Sequence, residues 1–179
     1  MRWERLFDDL SAQWDAEVRR ELDAEVADRT RRERATVRLG ERLAAARGAS
    51  VRVTLSTAEV VEGSVADVGV DWVLLDDARG SALVPLGGAA SWVGVGARAD
   101  TAGAGRRFGL GYALRGLSRD RTVVALHDVS GAVHVGTIDA VGRDVLELTE
   151  HPADVPRRPE HVTGRRLVPF SGLVLVRST

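Results

Sequence analysis

The chain of 179 residues contains no cysteine, no lysine and no asparagine, and has a single methionine and a single tyrosine. Without cysteine there are no disulfides, no thiolate nucleophile, no iron–sulfur cluster and no thiolate-ligated zinc. The missing lysine leaves all 25 basic residues as arginine, which with abundant alanine, glycine and valine fits high-GC coding. No apolar run approaches the roughly 20 residues that a membrane span needs, and the first residues, MRWERLFDDL, show no signal-peptide pattern; a cytoplasmic protein without membrane contact is expected. There is no G-x-S-x-G, no P-loop and no pair of acids in an apolar setting, so neither an enzyme nor a cofactor is expected. The net charge of −1 removes any global electrostatic case for nucleic acid.

What the chain does contain is a repeat. Leu39 and Leu43 are answered by Leu110 and Leu114, and Val53 and Leu55 by Val124 and Leu126. Gly63, Val65, Val68, Gly69 and Asp71 return as Gly136, Ile138, Val141, Gly142 and Asp144, and Val84-Pro85-Leu86 returns as Val168-Pro169-Phe170. A period of about 70 residues with helix-then-strand grammar is a small domain used twice rather than a solenoid unit. Repeats this short sit near the lower limit for an independent core, so packing together or oligomerising is an expected source of stability.

Ahead of the repeats, residues 1–37 read as an amphipathic helix. Trp3, Leu6, Phe7, Leu10, Trp14, Val18, Leu22 and Val26 recur at steps of three and four, with no glycine or proline before Gly40. Opposite charges at helical spacing support a solvated outer face. Trp3, Phe7, Leu10 and Trp14 form an aromatic stripe with two readings: it packs on the chain's own repeats, or it is an antiparallel or coiled-coil dimer contact.

After Gly48 the apolar period falls from 3.6 to 2. Val51, Val53 and Leu55 alternate with polar residues, and VVEGSVADV, WVLLDD, ALVPL and ASWVGV supply four more strands. Gly63 in mid-strand predicts a sharp bend, because a residue without Cβ lets the sheet curl. This gives a mainly β protein with some α: the helix 1–37, a first repeat over 38–97, a Gly/Ala-rich linker over 98–108, and a second repeat over 109–179 with a proline-bearing long loop over 149–167.

A short helix, five strands with a glycine midway along the second, and a fourth strand ending V-P-[LF] before a tight turn resemble the Sm-like fold of the bacterial chaperone Hfq and the Sm proteins. The whole-chain layout is also similar to a family of high-GC Gram-positive bacteria. The resemblance implies two bent five-stranded small barrels, ring assembly through pairing of a fourth strand with a neighbouring fifth, and association with RNA in a regulatory or chaperone-like role. The family's uridine pocket places aspartate six residues after the strand-two glycine and asparagine four further on. Those positions hold Gly69 and Val73 in one repeat and Gly142 and Leu146 in the other. The family's Arg-Gly pair is replaced by Gly87-Gly88-Ala89 and Ser171-Gly172, and the Tyr-Lys-His segment of the Hfq type by Val84-Pro85-Leu86. Groups that bond a base edge and stack on its face are missing from those positions.

Charge is unevenly spread. Residues 48–100 carry three arginines against seven acids, and residues 101–179 carry eleven against eight. The candidate anion-binding set is therefore Arg106, Arg107, Arg115, Arg119 and Arg121 on the linker and second short helix, with Arg157, Arg158, Arg165 and Arg166 on the long loop. Guanidinium groups pair bidentately with phosphate and stack on bases, so nine of them form one backbone-binding surface if the two segments converge. The other reading, favoured by the interspersed acids Asp120, Asp154 and Glu160, is an ordinary solvated surface. All four histidines, at 127, 134, 151 and 161, lie in the second repeat without metal-ligand spacing, so no metal is expected. Trp72 and Trp92 read as core or strand-interface residues. Expected partners are RNA through the arginines, or a second copy or other protein through sheet edges and the aromatic helix.

Overall fold

The computed structural model describes residues 2–101, 108–154 and 158–178, and the chain divides into two compact units, Met1–Val37 and Arg38–Thr179. The first contains one helix, α1, over Arg2–Thr36. It carries exposed charge pairs one turn apart, Arg20 with Glu17 at 3.1 Å and Arg31 with Asp28, which support a long helix by local pairing.

The second unit is mainly β. A short helix α2, Leu39–Ala45, precedes β1 (Ser50–Leu55), β2 (Val60–Val68), β3 (Trp72–Asp77), β4 (Gly80–Pro85) and β5 (Ala89–Val93). Then α3, Leu110–Arg119, precedes β6 (Val123–Asp128), β7 (Val133–Val141), β8 (Val145–Glu150), β9 (Gly164–Pro169) and β10 (Leu173–Ser178). The succession repeats down to detail. A 3-10 turn follows the Val-Pro pair each time, over Leu86–Gly88 and Phe170–Gly172. The second strand bulges at matching positions, between Val65 and Asp67 and between Ile138 and Ala140.

The ten strands form one antiparallel sheet that is not closed, in the order β5-β1-β2-β3-β4-β10-β6-β7-β8-β9. The two halves meet where β4 pairs with β10, Leu83 opposite Val176 and Ala82 opposite Arg177. Alternating burial drives most strands: in β1, Val51, Val53 and Leu55 are buried while Arg52 is exposed. The joint strands differ, because Ala82 to Pro85 of β4 and Leu173 to Val176 of β10 are buried without alternation. Such strands have apolar neighbours on both faces. Accordingly β10 sends Val174 and Leu175 into one core, with Val53, Leu55 and Leu75, and Leu173 and Val176 into the other, with Leu114, Leu126 and Ile138.

The expected role of the strand-two glycines takes a specific form. A Cβ at Gly63 would lie 2.5 Å from the Asp76 carbonyl oxygen of β3, and one at Gly136 would overlap the carbonyl of Thr149 on β8. Backbones of adjacent strands therefore approach closely at both positions. In the β1–β2 turn Ala58 has φ +68°, where its counterpart in the β6–β7 turn is Gly131 at φ +85°.

Two stability predictions follow from this. Gly63→Val should cost ~1–3 kcal/mol or more by overpacking, whereas Gly87→Ala, with open space around the new methyl, should change stability by less than ~0.5 kcal/mol. Ala58→Gly should stabilise the protein by up to ~1 kcal/mol through relief of the left-handed conformation. Urea unfolding of the three variants checks both.

Candidate functional site

Three regions hold the polar chemistry of the fold: the joint between the halves, a charged network on β6 to β9, and the two outer strands β5 and β9.

At the joint, polar contacts accompany the apolar ones. Asp71, in the β2–β3 loop of the first half, accepts the Leu110 N–H at 2.7 Å and so caps α3 of the second. Next to it Trp72 Nε1–H and Val70 N–H both donate to the Phe108 carbonyl, at 3.1 and 3.0 Å. Arg177 Nη2 donates to Asp77 Oδ2 at 2.7 Å, with both side chains largely buried and with Arg177 Nε and Nη1 unbonded. That guanidinium holds the Asp77 carboxyl below its ordinary pKa. His127 Nδ1 lies 2.9 Å from Glu59 Oε2 across the same joint.

The network on the second half is a chain of ionisable groups. Asp128 accepts the Ser130 N–H at 2.8 Å and the Ala132 N–H at 3.1 Å, and its other oxygen is 2.9 Å from His134 Nε2. His134 Nδ1 is 3.2 Å from Glu150 Oε1, which also accepts from Arg166 Nε at 2.8 Å. The Ser130 hydroxyl, followed by His134, holds Asp128 far below the usual carboxylate range, and Arg166 lowers Glu150. Glu150 in turn raises the Arg166 pKa. His151 is buried, with Nε2 2.8 Å from Thr137 Oγ1 and Nδ1 2.8 Å from the Pro152 carbonyl oxygen. Facing a carbonyl oxygen, which only accepts, Nδ1 is the donor in that second contact. Among the described residues no group of three or more His, Asp or Glu side chains can hold a metal ion.

Of the candidate arginines, Arg115 and Arg119 are exposed on α3, and Arg158 is exposed at the start of the Pro159–His161 turn. Arg165 and Arg166, expected on the long loop, lie on β9, because β8 runs to Glu150 and β9 begins at Gly164. Arg121 Nη1 reaches Asp139 Oδ1 at 3.5 Å, and Asp139 lines a recess of about 260 Å³ with Glu147, Arg165 and Arg166. The α3 end and β9 are thus brought to one place, with acids among the arginines. Arg106, Arg107 and Arg157 lie outside the described residues. On α1, Trp14 is exposed; the side chains of Trp3, Phe7 and Leu10 lie outside the described ones. Trp72 is buried in the second core and Trp92 packs against the first, as core residues.

Three features that the structure brings forward were not read from the sequence. Asp71 as a helix cap and the Asp77–Arg177 pair are contacts across 39 and 100 positions, for which no local pattern exists. Leu167 is the third. It matches Leu83 in the repeat, yet it is 68% exposed where Leu83 is 4% exposed. The unbroken apolar runs ALVP and LVLV, set against RRLVP and AASWV in the other copies, were the available signal.

No protein-family model, curated protein or solved structure matches the chain. Among the described residues no helix is long and apolar enough to cross a membrane.

The buried pair at the joint yields a prediction. Asp77→Asn leaves the Arg177 charge without its partner and should cost roughly 3–5 kcal/mol in thermal or urea unfolding. The native pKa values of Asp77, Asp128 and Glu150 are lowered. Their contribution to stability is therefore fully present above the unfolded carboxylate pKa of about 4 and lost as pH falls below it. Unfolding midpoints measured from pH 7 to 2 should drop steeply only in the acid range, and less steeply in Asp77→Asn.

Proposed function

We propose that the chain is a non-enzymatic assembly module of Sm-like design, two bent five-stranded barrels in tandem, and that the joint made internally between β4 and β10 is made again between chains by β9 and β5. The observation that carries this is the contrast between Leu83 and Leu167: one side chain at one repeat position, covered by β10 in the first half and bare on β9 in the second. Val176 and Arg177, which face Leu83 and Ala82, match Trp92 and Val93 in the repeat. The internal register carried outward thus sets Leu167 opposite Trp92, and Arg166 opposite Val93, of the next chain. Asp144, the exposed counterpart of the cap Asp71, would accept the Leu39 N–H at the start of that chain's α2.

Such contacts are head-to-tail, so they close into a ring or run on as a filament. The Sm-like resemblance favours closure, with three chains supplying six folds. The free edges are more polar than the internal joint: Arg165 and Arg166 stand where β4 has Ser81 and Ala82, and Ala90 and Ser91 where β10 has Val174 and Leu175. Charged edge strands resist indiscriminate pairing. The assembly is therefore reversible and dependent on concentration.

Binding of RNA in a regulatory or chaperone-like role is a second reading, favoured by the recess that Arg165 and Arg166 line with Asp139, the acid that Arg121 reaches from the α3 side. Its arginines are partly neutralised by Asp139 and Glu150, which places it second.

Light scattering against concentration tests the first reading. The wild-type chain should rise with concentration to at least about three times its 19.2 kDa mass, and Leu167→Asp should shift it to smaller species with an unchanged circular dichroism spectrum. A mass that does not respond to Leu167→Asp sinks the edge joint. For the second reading, fluorescence anisotropy with mixed-sequence single-stranded RNA should show micromolar binding that weakens steeply with salt, and Arg165→Ala with Arg166→Ala should reduce both affinity and salt slope. Unchanged anisotropy at micromolar protein ends it.

A further inference from the structure

A second contact, independent of the sheet edges, is written on α1. Trp14, Leu22 and Val26 are 73%, 55% and 64% exposed on a helix of 35 residues. Apolar side chains repeated on one stripe of a helix call for a covering surface, and the order of charges along α1 says which surface.

The helix is close to antisymmetric about Trp14. Turned end for end and laid against itself with Trp14 opposite Trp14, it sets Leu10 level with Val18 and Leu6 level with Leu22. The flanking charges then meet their opposites: Asp9 is level with Arg19, Asp8 with Arg20, and Arg5 with Asp23. From Arg2 to Val26 that register brings no like charges level. A parallel, in-register pair does the reverse and sets every charge beside its own copy, which is unfavourable. We infer that α1 is a dimerisation helix whose partner is a second copy of this chain, packed antiparallel across a two-fold axis at Trp14.

Charge steers orientation and the apolar stripe supplies affinity. Arg20 keeps its same-helix partner Glu17 at 3.1 Å, one turn away, while its guanidinium, with several donors, also reaches the partner's Asp8. The two-fold contact at α1 and the head-to-tail contact at the sheet edge use different surfaces, so each can be lost without the other.

The test uses the full chain carrying Leu167→Asp, so that the edge joint is removed and the helix contact is read alone. Because the sequence has no cysteine, Ala24→Cys gives one spin label per chain. Two labels each ten residues from the axis should lie roughly 30 Å apart in the antiparallel dimer, at 1.5 Å per residue. A parallel dimer would bring them within about 20 Å, given helix axes 8–10 Å apart. Asp8→Arg with Asp9→Arg should weaken dimerisation about tenfold, as four opposite-charge pairs become like-charge pairs, each exposed pair being small alone. Arg19→Asp with Arg20→Asp should do the same, and all four changes together should restore it, with helix content constant by circular dichroism. A short distance, or failure of the fourfold variant to restore pairing, overturns the antiparallel register. A monomer at tens of micromolar, with no distance between chains, overturns the dimer and returns the stripe to packing within its own chain.

Discussion

Pairing of β4 with β10 is the constraint on which the second unit depends. These are the strands with apolar residues on both faces, and they stand at the centre of the ten-stranded order. Burying a side chain such as leucine or valine is worth ~1.5–3 kcal/mol, and β10 buries four in succession, two into each core. Each half is near the size at which a single core is marginal. Sharing strands between two cores removes that weakness, because neither core is complete without residues from the other half: Val174 and Leu175 in one, Trp72 and Leu83 in the other.

The polar contacts at the joint follow from this arrangement and fix its geometry. An apolar seam alone tolerates sliding along the strands. Asp71 capping α3, the two donors on the Phe108 carbonyl, and Asp77 meeting Arg177 hold one register, because each requires particular atoms within hydrogen-bond distance. The Asp77–Arg177 pair is the most demanding of these: buried charges are stabilising only while partnered. At the repeat-equivalent place in the second half the acid is Glu150, and its arginine comes from β9 itself, Arg166. The same position thus serves as a clasp between halves in one case and closes on its own half in the other.

That difference divides the protein's surfaces into two kinds. Strands β4 and β10 are apolar and buried through Ala82–Pro85 and Leu173–Val176, and are interior there. Strands β9 and β5 kept arginine and serine, and with them the capacity to meet solvent, a phosphate or another chain. Leu167, bare among polar neighbours, is out of place on a strand meant only for water, and for that reason the assembly reading outweighs the anionic one. Helix α1 follows a separate logic, in which a stripe and its charges are legible without reference to the sheet.

Much of the architecture was determined by the sequence alone. The helix over residues 1–37, the ten strands and their order along the chain, and the paired glycines at 63 and 136 come from periodicities and an internal repeat. These are local properties: side chains at spacings of 2 or 3.6 must share a face, and a duplicated segment must form similar elements twice. What the tertiary structure decided was everything carried by distant residues. It moved Arg165 and Arg166 from loop to strand, joined Asp77 to Arg177 across 100 positions, and brought Arg121 to Asp139, which lines the recess beside β9. It also made Leu83 interior and Leu167 exterior. The two leucines are the same residue at the same repeat position, and their flanks, Ser81-Ala82 against Arg165-Arg166, only hint at the difference; which one is covered depends on which strand lies next to it, and strand order in a sheet is a property of the whole chain.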